Sequence, residues 1–271
     1  MTEMQVEKGN LFKGKRGLVM GVANKNSIAW GIAQALYNQG AELAFTYQGE
    51  ALERRVKPLA DEVEAKILTP CDVSDDASMD AAFAEIDSQW GGLDFLVHAI
   101  AFSDKDELKG QYLDTSRENF LKSMDISCFS FVACAKRAAK LMKPGGSMVT
   151  LTYLGAERVV PNYNVMGVAK AALEASTRYL ARDLGPDGVR VNAISAGPIR
   201  TLAMAGISGG REMLSWNRAA SPLRSDTTIE QVGGAAAYLL SDLGAGVTGE
   251  VLHVDGGFHM VGIPDVPLAA E

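Results

Sequence analysis

The chain has 271 residues, of which 47% are hydrophobic and 22% charged, the composition of an ordinary globular protein. This mixture excludes a disordered chain, a collagen-like chain and a small domain held together by disulfides. With 26 Lys and Arg against 33 Asp and Glu, the net charge is −7, which argues against non-specific nucleic-acid binding.

Short β-branched runs alternate with longer helical patterns along the chain. Ser27 is predicted to cap the first helix, and Gly40 to follow its end. The predicted strands lie at residues 16–22, 42–47, 66–73, 95–100, 147–153, 189–195 and 250–257. Further helices are predicted around 50–64, at 76–90, at about 115–142 and at 163–184.

This uninterrupted alternation predicts an α/β fold. Several strands are apolar on both faces, as parallel strands covered by helices must be. We expect one Rossmann-type, doubly wound parallel sheet of about seven strands, in a single domain over residues 1–271. The poorly patterned insert at about 198–227 follows the sixth strand and is rich in glycine, which indicates a mobile segment. Because ligands bind beyond the carboxyl ends of such strands, a substrate lid is favoured over an ordinary surface loop.

Neither metal binding nor membrane insertion is predicted. Cys71, Cys128 and Cys134 form no C-x-x-C pair and the three histidines do not cluster with them, so buried, reduced thiols in a cytosolic protein are expected. No apolar run approaches the roughly 20 residues that a membrane helix needs. The first residues also lack the apolar core of a signal peptide.

The first strand-to-helix turn suits a dinucleotide pyrophosphate. Gly21 permits a tight turn, and Ser27 and Ile28 place N–H groups and a hydroxyl at the helix start. The turn lacks the G-x-G-x-x-G pattern, so an ordinary tight turn is an open alternative.

The ends of the second and third strands bear on cofactor choice. Gln48 is neutral and can hydrogen-bond a ribose hydroxyl, which favours NADH over NADPH. Arg54 and Arg55 follow within a helical run and are interpreted as a solvated face rather than a phosphate clamp. Asp72, with Val73, could accept from an adenine amino group, although Asp is common in turns.

Tyr163 and Lys170 are seven residues apart, so they lie on one face of a helix. A nearby ammonium favours the ionised form of a tyrosine and makes it a better proton donor or oxyanion partner. An exposed lysine beside a core tyrosine is the alternative on spacing alone.

Seven motifs that span most of the chain carry a family resemblance. They are GVANKNSIAWGIA (21–33), AFTYQ (44–48), CDV (71–73), VHAIAF (97–102), TYLGAERVVPNYNVMGVAK (152–170), GVRVNAISAGPIRT (188–201) and GEVLHVDGGF (249–258). With these motifs the chain resembles the short-chain dehydrogenase/reductase superfamily and, more closely, the bacterial NADH-dependent enoyl-acyl-carrier-protein reductases of fatty-acid synthesis.

A spacing test separates these reductases from other members of the superfamily, which show Tyr-x-x-x-Lys with a Ser about thirteen residues earlier. Here Met166 precedes Lys170 by four, and Tyr153 stands at the Ser position. Conjugate reduction places hydride on the β-carbon and leaves an enolate on the thioester oxygen, which lies further from the hydride acceptor than a ketone oxygen does. Tyr163 is set further from the lysine than the usual tyrosine, which suits an oxygen in that position. One departure from the family is Ala101, where Gly is more common.

The resemblance implies a role for each candidate residue. Tyr163 would stabilise or protonate the enolate, Tyr153 would position the thioester carbonyl, and Ser103 would lie near the substrate. NADH would be held by Gly21, Ser27, Ile28 and Thr201 at the pyrophosphate, Gln48 at the adenosine ribose, Asp72 and Val73 at the adenine, Ile100 in the ribose region, Ile199 at the nicotinamide amide and Lys170 at the nicotinamide ribose.

The partner implied is an acyl carrier protein bearing an enoyl chain, and the assembly implied is a homotetramer. Because both the enzyme and its carrier are acidic, Arg211, Arg218 and Arg224 in the insert are candidate docking residues, with scattered surface charges as the alternative. Two other functions stay open: a carbonyl or alcohol oxidoreductase of the same fold, and a non-catalytic NAD-binding sensor.

Overall fold

The computed structural model describes residues 8–205 and 209–263, whose strands form a single seven-stranded sheet. The strands are β1 (Arg16–Met20), β2 (Glu42–Tyr47), β3 (Ile67–Pro70), β4 (Leu93–His98), β5 (Met142–Thr152), β6 (Arg190–Ala196) and β7 (Val251–Val254). Their order is β3-β2-β1-β4-β5-β6-β7, and every pair is parallel. The predicted α/β Rossmann-type sheet is confirmed.

The helices cover both faces of this sheet. They are α1 (Ile28–Asn38), α2 (Gly49–Glu62), α3 (Asp76–Trp90), α4 (Arg117–Met124), α5 (Ser130–Leu141), α6 (Asn164–Leu184), α7 (Leu202–Ala205), α8 (Gly210–Ala220) and α9 (Ile229–Leu240). One apolar core packs α1, α2 and α9 on the sheet, and a second packs α3, α5 and α6 on the other face. This double cover explains why the strands are apolar on both sides.

The long helix predicted at 115–142 is wrong in one respect, because a π-helical segment (Asp125–Phe129) separates α4 from α5. Ser130 Oγ donates to the Ile126 carbonyl oxygen at 2.7 Å. Such a bulge depends on contacts made in the fold, so the 3.6-residue period does not reveal it.

Helix α9 is absent from the predicted elements, although Thr228 and Gln231 form a reciprocal capping box at its start. It packs on α1 at two glycines. A Cβ on Gly31 would lie 2.4 Å from the Ile229 carbonyl oxygen, and one on Gly233 would lie 2.6 Å from the Gly31 oxygen. Only glycine permits this approach of the two helix backbones.

The strand order reverses direction at β1, which has β2 on one side and β4 on the other. The helices that follow β1 and β4, α1 and α5, lie on opposite faces of the sheet. Such a reversal opens a crevice at the carboxyl edge, where these folds bind ligands. No described helix is long and apolar enough to cross a membrane.

Candidate active site

A cavity of about 310 Å³, which we call the central cavity, lies at the carboxyl edge of the sheet. It gathers candidates from three separate sequence motifs, which the fold alone brings together. The predicted site residues that line it are Gly21, Ser27, Ile28, Tyr153, Tyr163, Lys170, Ile199 and Thr201.

Two further cavities adjoin the central cavity and share lining residues with it. The β2–β3 cavity, of about 480 Å³, shares Gly21 and contains Gln48, Asp72, Val73 and Ile100. The α8 cavity, of about 560 Å³, shares Tyr153 and is otherwise mainly apolar. The three volumes therefore follow one another along the edge of the sheet.

The turn after β1 is built for close approach of a ligand to the backbone. Gly21 has φ +97°, and a Cβ there would lie 2.1 Å from the Ala99 carbonyl oxygen, so only glycine fits. Ser27 precedes α1 as predicted, but its Oγ accepts from the N–H groups of Ala23 and Asn24, both at 3.1 Å, and its own N–H donates to the Asn24 carbonyl oxygen. Ser27 thus shapes the turn, and Ile28 begins the helix N-terminus.

The end of the β2–β3 cavity carries a negative charge. Gln48 Nε2 donates to Asp72 Oδ2 at 2.8 Å. Hydrogen bonds from the Ser74 hydroxyl and N–H, with that from Gln48, lower the pKa of Asp72 despite its partial burial. Arg54 is exposed and pairs with Glu50 at 3.4 Å, which fits the interpretation of a solvated helix face. A carboxylate here would repel a ribose 2′-phosphate.

Lys170 reaches the central cavity from inside the protein. It is 5% exposed, and its Nζ donates to the Leu151 carbonyl oxygen at 2.7 Å. Burial lowers the pKa of Lys170 to about 8, against the opposing effects of Cys128 and Glu174. The alternative of an exposed lysine is therefore wrong.

The two tyrosines pack edge to face, with ring centroids 5.0 Å apart. Tyr163 is buried immediately before α6, between Asn162 (φ +60°) and Asn164 (φ +39°). The Asn164 side-chain amide donates to the Leu108 carbonyl oxygen at 3.1 Å. This left-handed backbone, which asparagine tolerates better than most residues, sets Tyr163 into the cavity.

The lysine was expected to favour the ionised form of Tyr163, but in this structure burial of the phenol has the largest effect on its pKa. Burial raises the pKa of Tyr163, with further contributions from Tyr153 and Glu174. Burial also raises the pKa of Tyr153 to about 12, and its hydroxyl lies 3.2 Å from Met213 Sδ. Both hydroxyls are therefore neutral hydrogen-bond donors near pH 7.

Met166, at the position of the usual superfamily acid, lies in a small buried cluster with Leu108, Tyr163 and Val165. It offers no acidic proton. In this structure Tyr153 and Tyr163 are the phenols that line the central cavity.

Ser103 lies apart from the other candidates. Its Oγ is 2.9 Å from Ser123 Oγ and within 3.3 Å of both side-chain polar atoms of Asn119. It does not line any of the three cavities described above, whereas its neighbour Phe102 lines the β2–β3 cavity.

The comparisons with known proteins agree in their descriptions. Residues 21–259 match a family model described as enoyl-(acyl carrier protein) reductase. A Rhizobium meliloti enoyl-acyl-carrier-protein reductase (NADH) 2 is 66% identical over 254 residues, which cover 94% of this chain and 95% of the relative. This chain belongs to the enoyl-acyl-carrier-protein reductase family.

Solved structures of other reductases show the same fold. A reductase from Anaplasma phagocytophilum in complex with NAD has a TM-score of 0.93 and 59% identity, covering 96% of this chain and all of that one. A Bacillus cereus reductase with NADP⁺ and indole naphthyridinone has a TM-score of 0.92 and 54% identity, covering 94% of this chain and all of that one.

The sequence analysis missed two features of the reductase site. Met213 and Trp216 of α8 line the α8 cavity, but the insert lacks a clear helical pattern in sequence. Glu174 is 7% exposed and lies one helical turn after Lys170, a spacing that was available in the sequence.

Proposed function

We propose that this chain uses NADH to reduce the α,β-double bond of enoyl thioesters carried on acyl carrier protein, in fatty-acid biosynthesis. The observation that carries the proposal is the meeting of Tyr153, Tyr163 and Lys170 in one cavity that adjoins a dinucleotide-sized crevice. Relatives with 54–66% identity bear this activity in their names.

The residues present fit NADH. Gly21 leaves the backbone of its turn open to a pyrophosphate, because a Cβ at this position would collide with the Ala99 carbonyl oxygen. The charged Asp72 at the β2–β3 cavity favours a ribose hydroxyl over a phosphate. We assign the adenosine to Gln48, Asp72, Val73 and Ile100, the pyrophosphate to Gly21, Ser27, Ile28 and Thr201, and the nicotinamide ribose and amide to Lys170 and Ile199.

When bound, NADH supplies a hydride to the substrate β-carbon. The protein stabilises the charge that then develops on the thioester oxygen. Neutral Tyr163 donates a hydrogen bond to that oxygen, and Tyr153, packed against it, orients the carbonyl. Lys170, anchored by the Leu151 carbonyl, would hold the ribose from inside. A proton taken up from solvent at the α-carbon would complete the saturated product.

We propose that the α8 cavity receives the acyl chain and that the described parts of the insert at 198–227, residues 198–205 and 209–227, cover it as a lid on a single domain. Residues 206–208 of the insert lie outside the described residues. Met213 touches the Tyr153 hydroxyl, and Trp216 and Phe258 add apolar surface. An acyl chain bound there would extend from the reacting thioester without entering the dinucleotide crevice.

A carbonyl oxidoreductase is disfavoured because buried Met166 cannot act as its acid. Absorbance of NADH separates the candidates when crotonyl-coenzyme A is compared with a β-ketoacyl thioester. We expect NADH oxidation with the enoyl substrate only. Oxidation with the ketone only would overturn the proposal, and binding without turnover would indicate the sensor.

The carrier protein is predicted to dock beside the lid. Arg211 and Arg224 lie in the insert, whereas Arg218 already pairs with Asp226. We expect Arg211→Glu to raise KM for an enoyl-carrier substrate by about tenfold, because it repels an acidic partner. KM for crotonyl-coenzyme A should stay within about twofold.

The matched control is Arg182→Glu, the same charge change at the exposed far end of α6. It should leave both KM values unchanged. Equal effects of Arg211→Glu on the carrier and coenzyme A substrates would contradict this docking site.

The homotetramer stays a prediction. Large apolar side chains are exposed on the helices expected to form its interface, among them Leu121, Phe129 and Tyr179. Exposed aromatic residues of this kind are common in oligomer interfaces.

A further inference from the structure

The last residues of β5 connect the active site to a buried carboxylate. The Leu151 carbonyl accepts from Lys170 Nζ at 2.7 Å, and the next residue, Thr152, donates its hydroxyl to Glu174 Oε1 at 2.7 Å. Tyr153 follows directly and lines the central cavity. Three consecutive residues thus hold the lysine, contact the carboxylate and present a tyrosine.

We propose that Glu174 is a positioning residue that acts on the active site through Thr152 and through the charge of Lys170. It fixes the end of β5, which in turn fixes the Leu151 carbonyl and Tyr153. Its negative charge also offsets the cost of an ammonium in an apolar interior. This inference rests on the proposed function, for which Glu174 itself touches neither substrate nor cofactor.

The surroundings of Glu174 leave it few competing partners. The charged or titratable groups that face it are Lys170 and Arg178 on its own helix, Tyr163 just before that helix, Glu157 in the turn after β5, and His253 of β7. His253 Nε2 is already 2.9 Å from Glu157 Oε1. The short contact of the Glu174 carboxylate is therefore the one to Thr152.

Lys170 is likewise enclosed. The groups that face it are Glu174 from α6, Cys128 from the π segment, and His98 from β4. Burial keeps His98 neutral by lowering its pKa to about 3, and burial raises the pKa of Cys128. Among these three groups, Glu174 is the only carboxyl group; burial raises its pKa, and the hydrogen bond from Thr152 opposes that rise.

Glu174→Gln tests the charge while retaining an acceptor for Thr152. Without the carboxylate, Lys170 should lose its proton at lower pH, so the alkaline decline of kcat should move down by about one pH unit. The alkaline decline of NADH affinity, followed by fluorescence, should move in the same direction. At pH 6, NADH affinity should stay within about twofold of wild type.

The matched control is Glu85→Gln. Glu85 of α3 also accepts a hydrogen bond from a strand threonine, Thr69 of β3, away from the lysine. Its pH profiles should match wild type. Coincident profiles for Glu174→Gln and wild type, in both kcat and NADH affinity, would overturn the charge role. If the wild-type protein binds NADH but reduces no enoyl thioester, the proposed function fails. The pH dependence of NADH affinity then tests the role of Glu174 by itself.

Thr152→Val and Thr152→Ser test the positioning step. Valine removes the hydroxyl and should lower kcat about tenfold with little change in KM for NADH, whereas serine keeps the hydroxyl and should restore kcat. Equal kcat values for the two variants, corrected for the folded fraction, would overturn the role of this hydrogen bond.

Discussion

Replacement of Tyr163 by Phe is expected to lower kcat for crotonyl-coenzyme A by about 10²–10³-fold, the usual loss when one oxyanion donor is removed. The Tyr163 hydroxyl is a buried, neutral donor in the central cavity, and phenylalanine keeps its ring packed against Tyr153. Steady-state kinetics should show this loss, while fluorescence titration should give a Kd for NADH within about twofold of wild type.

The matched control is Tyr179→Phe, which removes a hydroxyl from a 71% exposed tyrosine on the same helix. Its kcat should be unchanged. If Tyr163→Phe retained wild-type kcat, the enolate would be stabilised by another group, and the assignment of Tyr163 would be wrong.

Replacement of Lys170 by Met is expected to lower activity and, at neutral pH, to raise the free energy of unfolding. It removes the ammonium assigned to the ribose, so kcat should fall by at least about a hundredfold and NADH should bind more weakly. It should also change the pH dependence of folding, because Lys170 has a pKa of about 8 in the fold and 10.5 as its ordinary value.

Between these two values the unfolded chain binds a proton that the folded chain has lost, so wild-type stability rises with pH. Below pH 8 the buried ammonium lowers the free energy of unfolding of the wild type, and the methionine variant lacks this penalty. Urea unfolding at pH 7 and pH 10 should show the stability advantage of Lys170→Met shrink by about 2 kcal/mol. A constant difference between the two proteins would contradict this account of Lys170.

Much of the fold follows from local patterns. Helix α3 begins and ends where its sequence predicts, because Asp75 caps its first turn and Gly91 adopts φ +62° after its last residue. Strand β2 also has its predicted bounds, set by Gly40 on one side and by the turn after Tyr47 on the other. Caps and turns of this kind act within a few residues, so the sequence alone reveals them.

Features that depend on distant contacts were missed or misjudged. The π segment between α4 and α5 has no local signature. The Ser27 hydroxyl accepts from the turn rather than from α1, which only the folded turn shows. The pKa of Tyr163 rises because the fold buries it, an effect that outweighs the nearby lysine expected from helical spacing. Burial is a property of the packed structure and not of residue spacing.

The sequence predicts most of the residues that form the site, but fewer of the contacts that these residues make. Tyr153, Tyr163 and Lys170 come together as expected, but Ser103 is held by Asn119 and Ser123 instead of lining the cavities. Glu174 went unnoticed because an acidic residue on a helix is usually solvated. The fold buries it against Thr152.

The central claim is hydride delivery to the β-carbon of an enoyl thioester, and isotope transfer tests it most directly. NADH carrying deuterium at both C4 positions of the nicotinamide is incubated with the protein and an equimolar mixture of crotonyl-coenzyme A and acetoacetyl-coenzyme A, and the products are analysed by mass spectrometry and NMR. The account predicts butyryl-coenzyme A with one deuterium at C3. Unchanged crotonyl-coenzyme A, with deuterium appearing instead at the hydroxyl-bearing carbon of a reduced β-ketoacyl thioester, would contradict it.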